Sequence, residues 1–312
     1  MSAASEPGHH HHHAHLMPAP ANGSPRRVAT ALGLIVAFMM LEVVAGVLAN
    51  SLALISDAGH MLTDAAALAV SLVALRMVAR PAAGSLTYGL RRVETLAAQI
   101  NGATLLVVAV AVLYAAIRRL ITPEHVSPWP MILVGLAGIA VNGAATFALA
   151  GAGRESLNIE GSYQHVLLDL LAFIGTVLAG IVILVSGFDR ADPIVSILVA
   201  VLMLRSAAML LGATGRIILE AAPAGLDPPE IGRALAAVPE VVEVHDLHVW
   251  EVSSGFPALS AHVLVKQNAD CHAVRRSLEA LLRERFGLTH STLQVDHAGG
   301  EELIELKPPR SA

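Results

Sequence analysis

A chain of 312 residues with 55% hydrophobic and only 14% charged side chains is too apolar for an ordinary soluble protein and belongs in a membrane. A net charge of -5 without a basic patch excludes nucleic acid as a partner. The single cysteine, Cys271, excludes an intrachain disulfide framework and any multi-cysteine zinc cluster, so metal chemistry must use nitrogen and oxygen ligands.

In chain order, residues 1 to 27 form a tail carrying the run His9 to His13 and His15. Such a tract captures zinc whether it is a purification tag or native, and the flanks MSAASEPG and AHLMPAP favour a native tail, expected to be disordered without metal. The first apolar run starts near Val28 and lacks a small-residue cleavage pattern, so the first span is expected to be retained. Apolar length then places six spans at roughly 28 to 48, 52 to 77, 95 to 118, 131 to 152, 164 to 187 and 193 to 214. Arg26, Arg27, Arg76, Arg80, Arg91, Arg92, Arg154 and Arg216 fall on one side of these spans, against Arg118, Arg119 and Arg190 on the other. The positive-inside rule makes the richer side cytoplasmic, together with both termini.

Beyond the spans, prolines cluster in Ala221 to Glu230, charges become frequent and apolar runs shrink to strand length, which marks a linker and a soluble domain. Ile231, Leu235 and Val238 have helical spacing. Val241 to Val252 and Ala258 to Val265 have strand alternation, Cys271 to Phe286 is an amphipathic helix, and Thr292 to Val295 is a short strand. The order αββαβ predicts a two-layer α+β domain with its helices on one face of a sheet. The expected divisions are a tail at 1–27, a six-helix transmembrane domain at 28–221, a cytoplasmic metal-binding dimerisation domain at 222–299 and a C-terminal tail at 300–312.

The second and fifth spans carry the same pair, His60 with Asp64 and His165 with Asp169. Residues four apart share one helix face, so two such helices facing each other make a cage of two imidazoles and two carboxylates. Zinc suits that cage, and its charge compensates two carboxylates that are costly to hold ionised in a bilayer. Asp57, near the start of its helix, is read as a cap or as part of the outer mouth. Glu42, Asn50, Asn101 and Asn142 are read as interhelical hydrogen-bonding groups. In the tail domain His245, His248, His262, His272, Asp296 and His297 are dense for a segment of this size. Strict alternation puts His248 on the opposite strand face from His245.

The segments SLALISDAGHMLTD at 51 to 64, YGLRRVETLAAQIN at 88 to 101 and QHVLLDLLAFIG at 164 to 175 resemble the cation diffusion facilitator family. The likeness continues through ADPIVSILVAVLML, VHDLHVWEV and LSAHV, covering nearly the whole chain after the first 25 residues. It implies a homodimeric metal-proton antiporter with six spans and a metallochaperone-like cytoplasmic domain. Its transport ligands fall on His60, Asp64, His165 and Asp169, and a histidine in the first of these positions is associated with zinc. The resemblance also implies a regulatory site at His245, His262 and Asp296, with His272 bridging to a second ion. A further ligand set that some members carry after the second span is expected to be absent, since residues 76 to 92 hold no histidine or acid. Arginine-heavy, lysine-poor usage and the short loop after the fourth span resemble bacterial members and imply the inner cell membrane.

Metal and protons compete for the four groups, because histidine must be neutral and aspartate ionised to bind metal. That competition predicts proton-coupled efflux by alternating access, with His60 and His165 as proton carriers. The expected cargo is zinc, with cadmium, cobalt, iron and manganese as alternatives; no cofactor is expected, and the partners are metal ions, protons, lipid and a second copy of the chain. A sensor or scaffold that binds without transport is the competing reading. An intramembrane metalloenzyme ranks behind it: there is no HExxH or GxSxG, and a closed four-ligand cage leaves no coordination position for catalysis.

Overall fold

The computed structural model describes residues 24–48, 52–122 and 127–299, with the side chains of 45–60 outside the description. Six long apolar helices follow in chain order: α1 (Pro25–Leu48), α2 (Leu52–Val78), α3 (Arg92–Ile121), α4 (Pro128–Ala150), α5 (Leu157–Ser186) and α6 (Ala191–Ile218). Each is long and apolar enough to cross a membrane. The histidine run at the N-terminus and the tail at 300–312 lie outside the described residues.

All of these helices except α2 begin before the expected spans, at Pro25, Arg92, Pro128, Leu157 and Ala191. The difference is largest for α5, whose first two turns contain Asn158, Glu160 and Gln164 and so do not register as apolar. Ser156 caps this helix, its Oγ accepting from Ile159 N, and Gly187 ends it in the left-handed region at φ 68°.

Large apolar side chains such as Phe147, Val185, Val107 and Leu198 point outward, while Ala97, Ala98, Ala109, Ala179 and Ala200 lie at the contacts. Small residues let helix backbones approach where water provides no hydrophobic drive. The main pairings are α3 with α6, α4 with α5 and α1 with α2.

The C-terminal domain follows the expected order, as α7 (Pro228–Ala236), β1 (Val241–Ser253), β2 (Phe256–Val265), α8 (Cys271–Phe286) and β3 (His290–His297). The sheet order is β1-β2-β3, antiparallel between β1 and β2 and parallel between β2 and β3. The parallel pair needs a crossover, and α8 supplies it. Asp270 starts α8 by accepting from His272 N and Ala273 N at 2.9 and 3.0 Å, and Gly287 closes it at φ 68°. Ile231, Leu235, Leu278 and Leu282 from the helices pack with Leu259, Ala261, Val263 and Val265, so both helices cover one sheet face.

One expectation fails in β1. The register pairs His245 with His262 and His248 with Ser260, with a shift between them, and Asp246 adopts φ 51°. Because residues 260 and 262 share a face, His245 and His248 share it too. The bulge adds one residue to β1 and cancels the alternation that separates the two histidines in an ideal strand.

The domain docks on the helix ends through the β1–β2 turn. Leu157 N donates to Ser254 Oγ at 3.4 Å, and the Arg91 guanidinium lies 4.6 Å from the centre of the Phe256 ring. Tyr88 packs edge-on against Phe256 and His290, and Arg92 pairs with Glu220 at 2.9 Å. These contacts place the starts of α3 and α5 at the domain end of the bundle.

Candidate metal centre

The i, i+4 spacing on α5 presents His165 and Asp169 on one face, and α2 presents Asp64 to that same face. All three are buried. His165 Nε2 lies 2.7 Å from Asp64 Oδ1 and 3.7 Å from Asp169 Oδ2. One donor atom from each residue lies within 4.8 Å of the others, the only such group of three among the described residues. An imidazole nitrogen between two carboxylates is a ligand set for a divalent ion, because the ion neutralises charge that the apolar surroundings do not solvate. His60 lies in α2 one turn before Asp64, and its side chain is outside the described residues; the same holds for Asp57, and Asn50 lies outside them altogether.

The two ends of the site differ. A cavity of about 180 Å³, lined by Met61, Asp64, Asn142, Asp169, Ala172, Phe173 and Thr176, extends from the site. Met61 precedes Asp64 on α2, and Thr176 follows Asp169 on α5, so the cavity lies on the side away from the C-terminal domain. Toward the domain, a buried polar network fills the seam. Asn101 Nδ2 donates to Ser71 Oγ at 2.9 Å, Ser71 and Ser162 share a hydrogen bond of 2.6 Å, and Asn158 Nδ2 donates to the Ser71 carbonyl at 3.0 Å. Ser71 lies seven residues beyond Asp64 and Asn158 seven before His165, or ~10 Å along each helix. Asn101 is thus an interhelical hydrogen-bonding group, as read from the sequence, and the structure gives its partners as Ser71 of α2 and Ser162 of α5.

On the open face of the C-terminal sheet, the His245 and His262 rings meet edge to face at 5.4 Å. His248 Nε2 and Asp246 Oδ1 are 2.9 Å apart, and this hydrogen bond holds the Asp246 carboxyl below its ordinary range. Asp296 accepts from Gln294 at 2.8 Å and stands beside Leu264, with Gln294 beside His262. His272 lies in the first turn of α8. The structure therefore joins His245 to His262, sets Asp296 farther along that sheet face and leaves His272 on a helix. Asp246 and His248 enter the cluster through the bulge, for which a sequence read by alternation carries no signal. Cys271 Sγ, a separate contact, lies 3.4 Å from His297 Nε2.

Comparison with known proteins agrees with this architecture. Residues 28–219 match the cation efflux transmembrane domain and residues 223–298 the cation efflux protein cytoplasmic domain. The chain is 38% identical to the zinc transporter ZitB of Escherichia coli, over 93% of this chain and 92% of that one. It is 36% identical to the cadmium, cobalt and zinc/H(+)-K(+) antiporter of Bacillus velezensis, over 85% and 86%. The metal cation efflux system protein CzcD of Cupriavidus metallidurans is likewise 36% identical, over 90% and 89%. With both domain models matched along nearly its entire described length, the chain belongs to the cation diffusion facilitator family of zinc-type cation efflux transporters.

Proposed function

We propose that this protein is a secondary active transporter that exports divalent cations, zinc foremost, from the cytoplasm across the cell membrane in exchange for protons. The observation that carries the reading is the convergence of Asp64, His165 and Asp169 within the span bundle. His60, one turn from Asp64, completes the ligand set. The names of the relatives support zinc as cargo, with cadmium and cobalt as further ions.

The mechanism follows from ligand protonation. A divalent ion binds when both carboxylates are ionised and the imidazoles are neutral, and protons entering the site reverse that state. The cavity on the side away from the domain gives the ion its exit, while the Asn101, Ser71, Ser162 and Asn158 network closes the route back. Rocking of the helices then opens the domain side to cytoplasmic metal. In this reading both termini and the 222–299 domain are cytoplasmic, 28–221 is the transmembrane unit, and two copies pair through the cytoplasmic domain. His245 and His262, joined by Asp296 and His272 when the sheet face closes on an ion, form a regulatory site that favours one transport state.

The test is zinc flux in sealed vesicles holding the full-length protein, with and without an imposed pH difference. Uptake should rise when the compartment receiving zinc is the more acidic one. Flux insensitive to the pH difference would contradict proton exchange.

A further inference from the structure

Gly135 and Gly138 of α4 leave no side chain between that helix and α5. A Cβ on Gly135 would meet Val177 at 2.6 Å, and one on Gly138 would run into the Phe173 ring. The two helices run antiparallel, so continuing this register by one turn brings Asn142 level with Asp169. Asn142 is 3% exposed and lines the same cavity as Asp64 and Asp169. Its Nδ2 donates to the Gly138 carbonyl at 3.2 Å. That bond commits the amide nitrogen to its own helix, and no donor among the described residues reaches Oδ1.

We propose that Asn142 Oδ1 is an oxygen ligand supplied by α4 to the transported ion, and that it sets which divalent cations the site accepts. The inference rests on the transport reading above. Four ligands from α2 and α5 complete a tetrahedral zinc site, so zinc needs nothing from α4. Larger ions such as cadmium accept more than four ligands, and the preference among ions follows ligand number and cavity shape more than raw affinity. An amide oxygen raises the ligand number without adding charge, so it extends the range of ions and leaves the proton balance to the histidines and aspartates. The remaining cavity wall is Met61, Ala172 and Phe173, which are apolar, and Thr176, whose hydroxyl donates to the Ala172 carbonyl of its own helix at 2.9 Å.

The experiment compares zinc and cadmium uptake by the full-length chain in sealed vesicles under one proton gradient, for the native protein, Asn142→Leu and Asn142→Asp. In Asn142→Leu the zinc KM should stay within about threefold of native while the cadmium KM rises about tenfold, a difference of about 1.4 kcal/mol. Asn142→Asp keeps an oxygen at the position, and its ratio of cadmium to zinc KM should not exceed the native ratio. Equal shifts for both ions in Asn142→Leu, or no shift for either, would overturn the proposal. If Asn142→Leu transports neither zinc nor cadmium, Asn142→Asp decides, and a raised cadmium to zinc KM ratio there overturns it. A native chain that moves neither ion would contradict the transport reading itself. Equilibrium binding of zinc and cadmium to the same three proteins then tests the ligand role alone, by the same ratios.

Discussion

His165 Nε2 of α5 reaches Asp64 Oδ1 of α2 at 2.7 Å, a contact between residues 101 positions apart that closes the seam between the two helices. The pair holds the helices together through groups a metal ion also needs. Substituting Asp64 by Asn keeps a hydrogen-bonding group beside His165 but removes a carboxylate ligand. Loss of a partner one shell farther out typically costs 10–100-fold in metal affinity, so Asp64→Asn should weaken zinc binding by more than about 100-fold. Isothermal titration of the purified protein checks this, and an affinity within tenfold of native would remove Asp64 from the ligand set.

The close approach of α4 to α5 depends on Gly138. Gly138→Val forces its side chain into the ring of Phe173, a cavity-lining residue. Overpacking of this kind costs about 1–3 kcal/mol. The variant should melt at a lower temperature in detergent and lose zinc flux, while Gly143→Val, where a Cβ meets nothing within 4 Å, should do neither.

Docking of the C-terminal domain centres on Phe256, which is 1% exposed beneath the Arg91 guanidinium. Phe256→Ala removes a fully buried ring and should cost roughly 3–5 kcal/mol. Arg91→Ala removes the cation over the ring face and should cost about 0.5–2 kcal/mol. Thermal unfolding of the full-length protein ranks the two, and a larger effect for Arg91→Ala would contradict this account of the junction.

Asp270 titrates below its ordinary range, first because Ala273 N donates to it. A carboxyl with a depressed folded value contributes stability that is present above its unfolded value of about 3.9 and is lost as pH falls through the folded value. The α8 cap should therefore be intact at neutral pH and fail only in strong acid. Asp270→Ala should raise amide exchange in the first turn of α8 at pH 7, and unchanged protection there would show that the cap does not hold the turn.

Much of this was legible in the sequence, for reasons that differ by element. The six spans follow from apolar length, and α8 is bounded as expected because Asp270 and Gly287 mark both its ends. The start of α5 was hidden by Glu160, which pairs with Arg154 at 2.6 Å in a polar first turn that apolar length does not count. The β1 bulge was hidden because alternation presumes one residue per step, and Asp246 breaks that count. At the metal site, the repeated His and Asp spacing pointed to Asp64, His165 and Asp169, which converge. The side chain of His60 lies outside the described residues. The position of Asn142 beside Asp169 depends on the α4–α5 register set by Gly135 and Gly138. A lone asparagine in an apolar run reads as interhelical glue without that register.

The central claim is that the ion crosses through the α2–α5 site. Zinc uptake into sealed vesicles under a proton gradient, measured for the native chain, Asp64→Ala and Asp169→Ala, tests it most directly. Gradient-driven uptake in the native chain that is lost in both variants is the predicted result. Uptake unchanged in the two variants would place the pathway elsewhere and contradict the account.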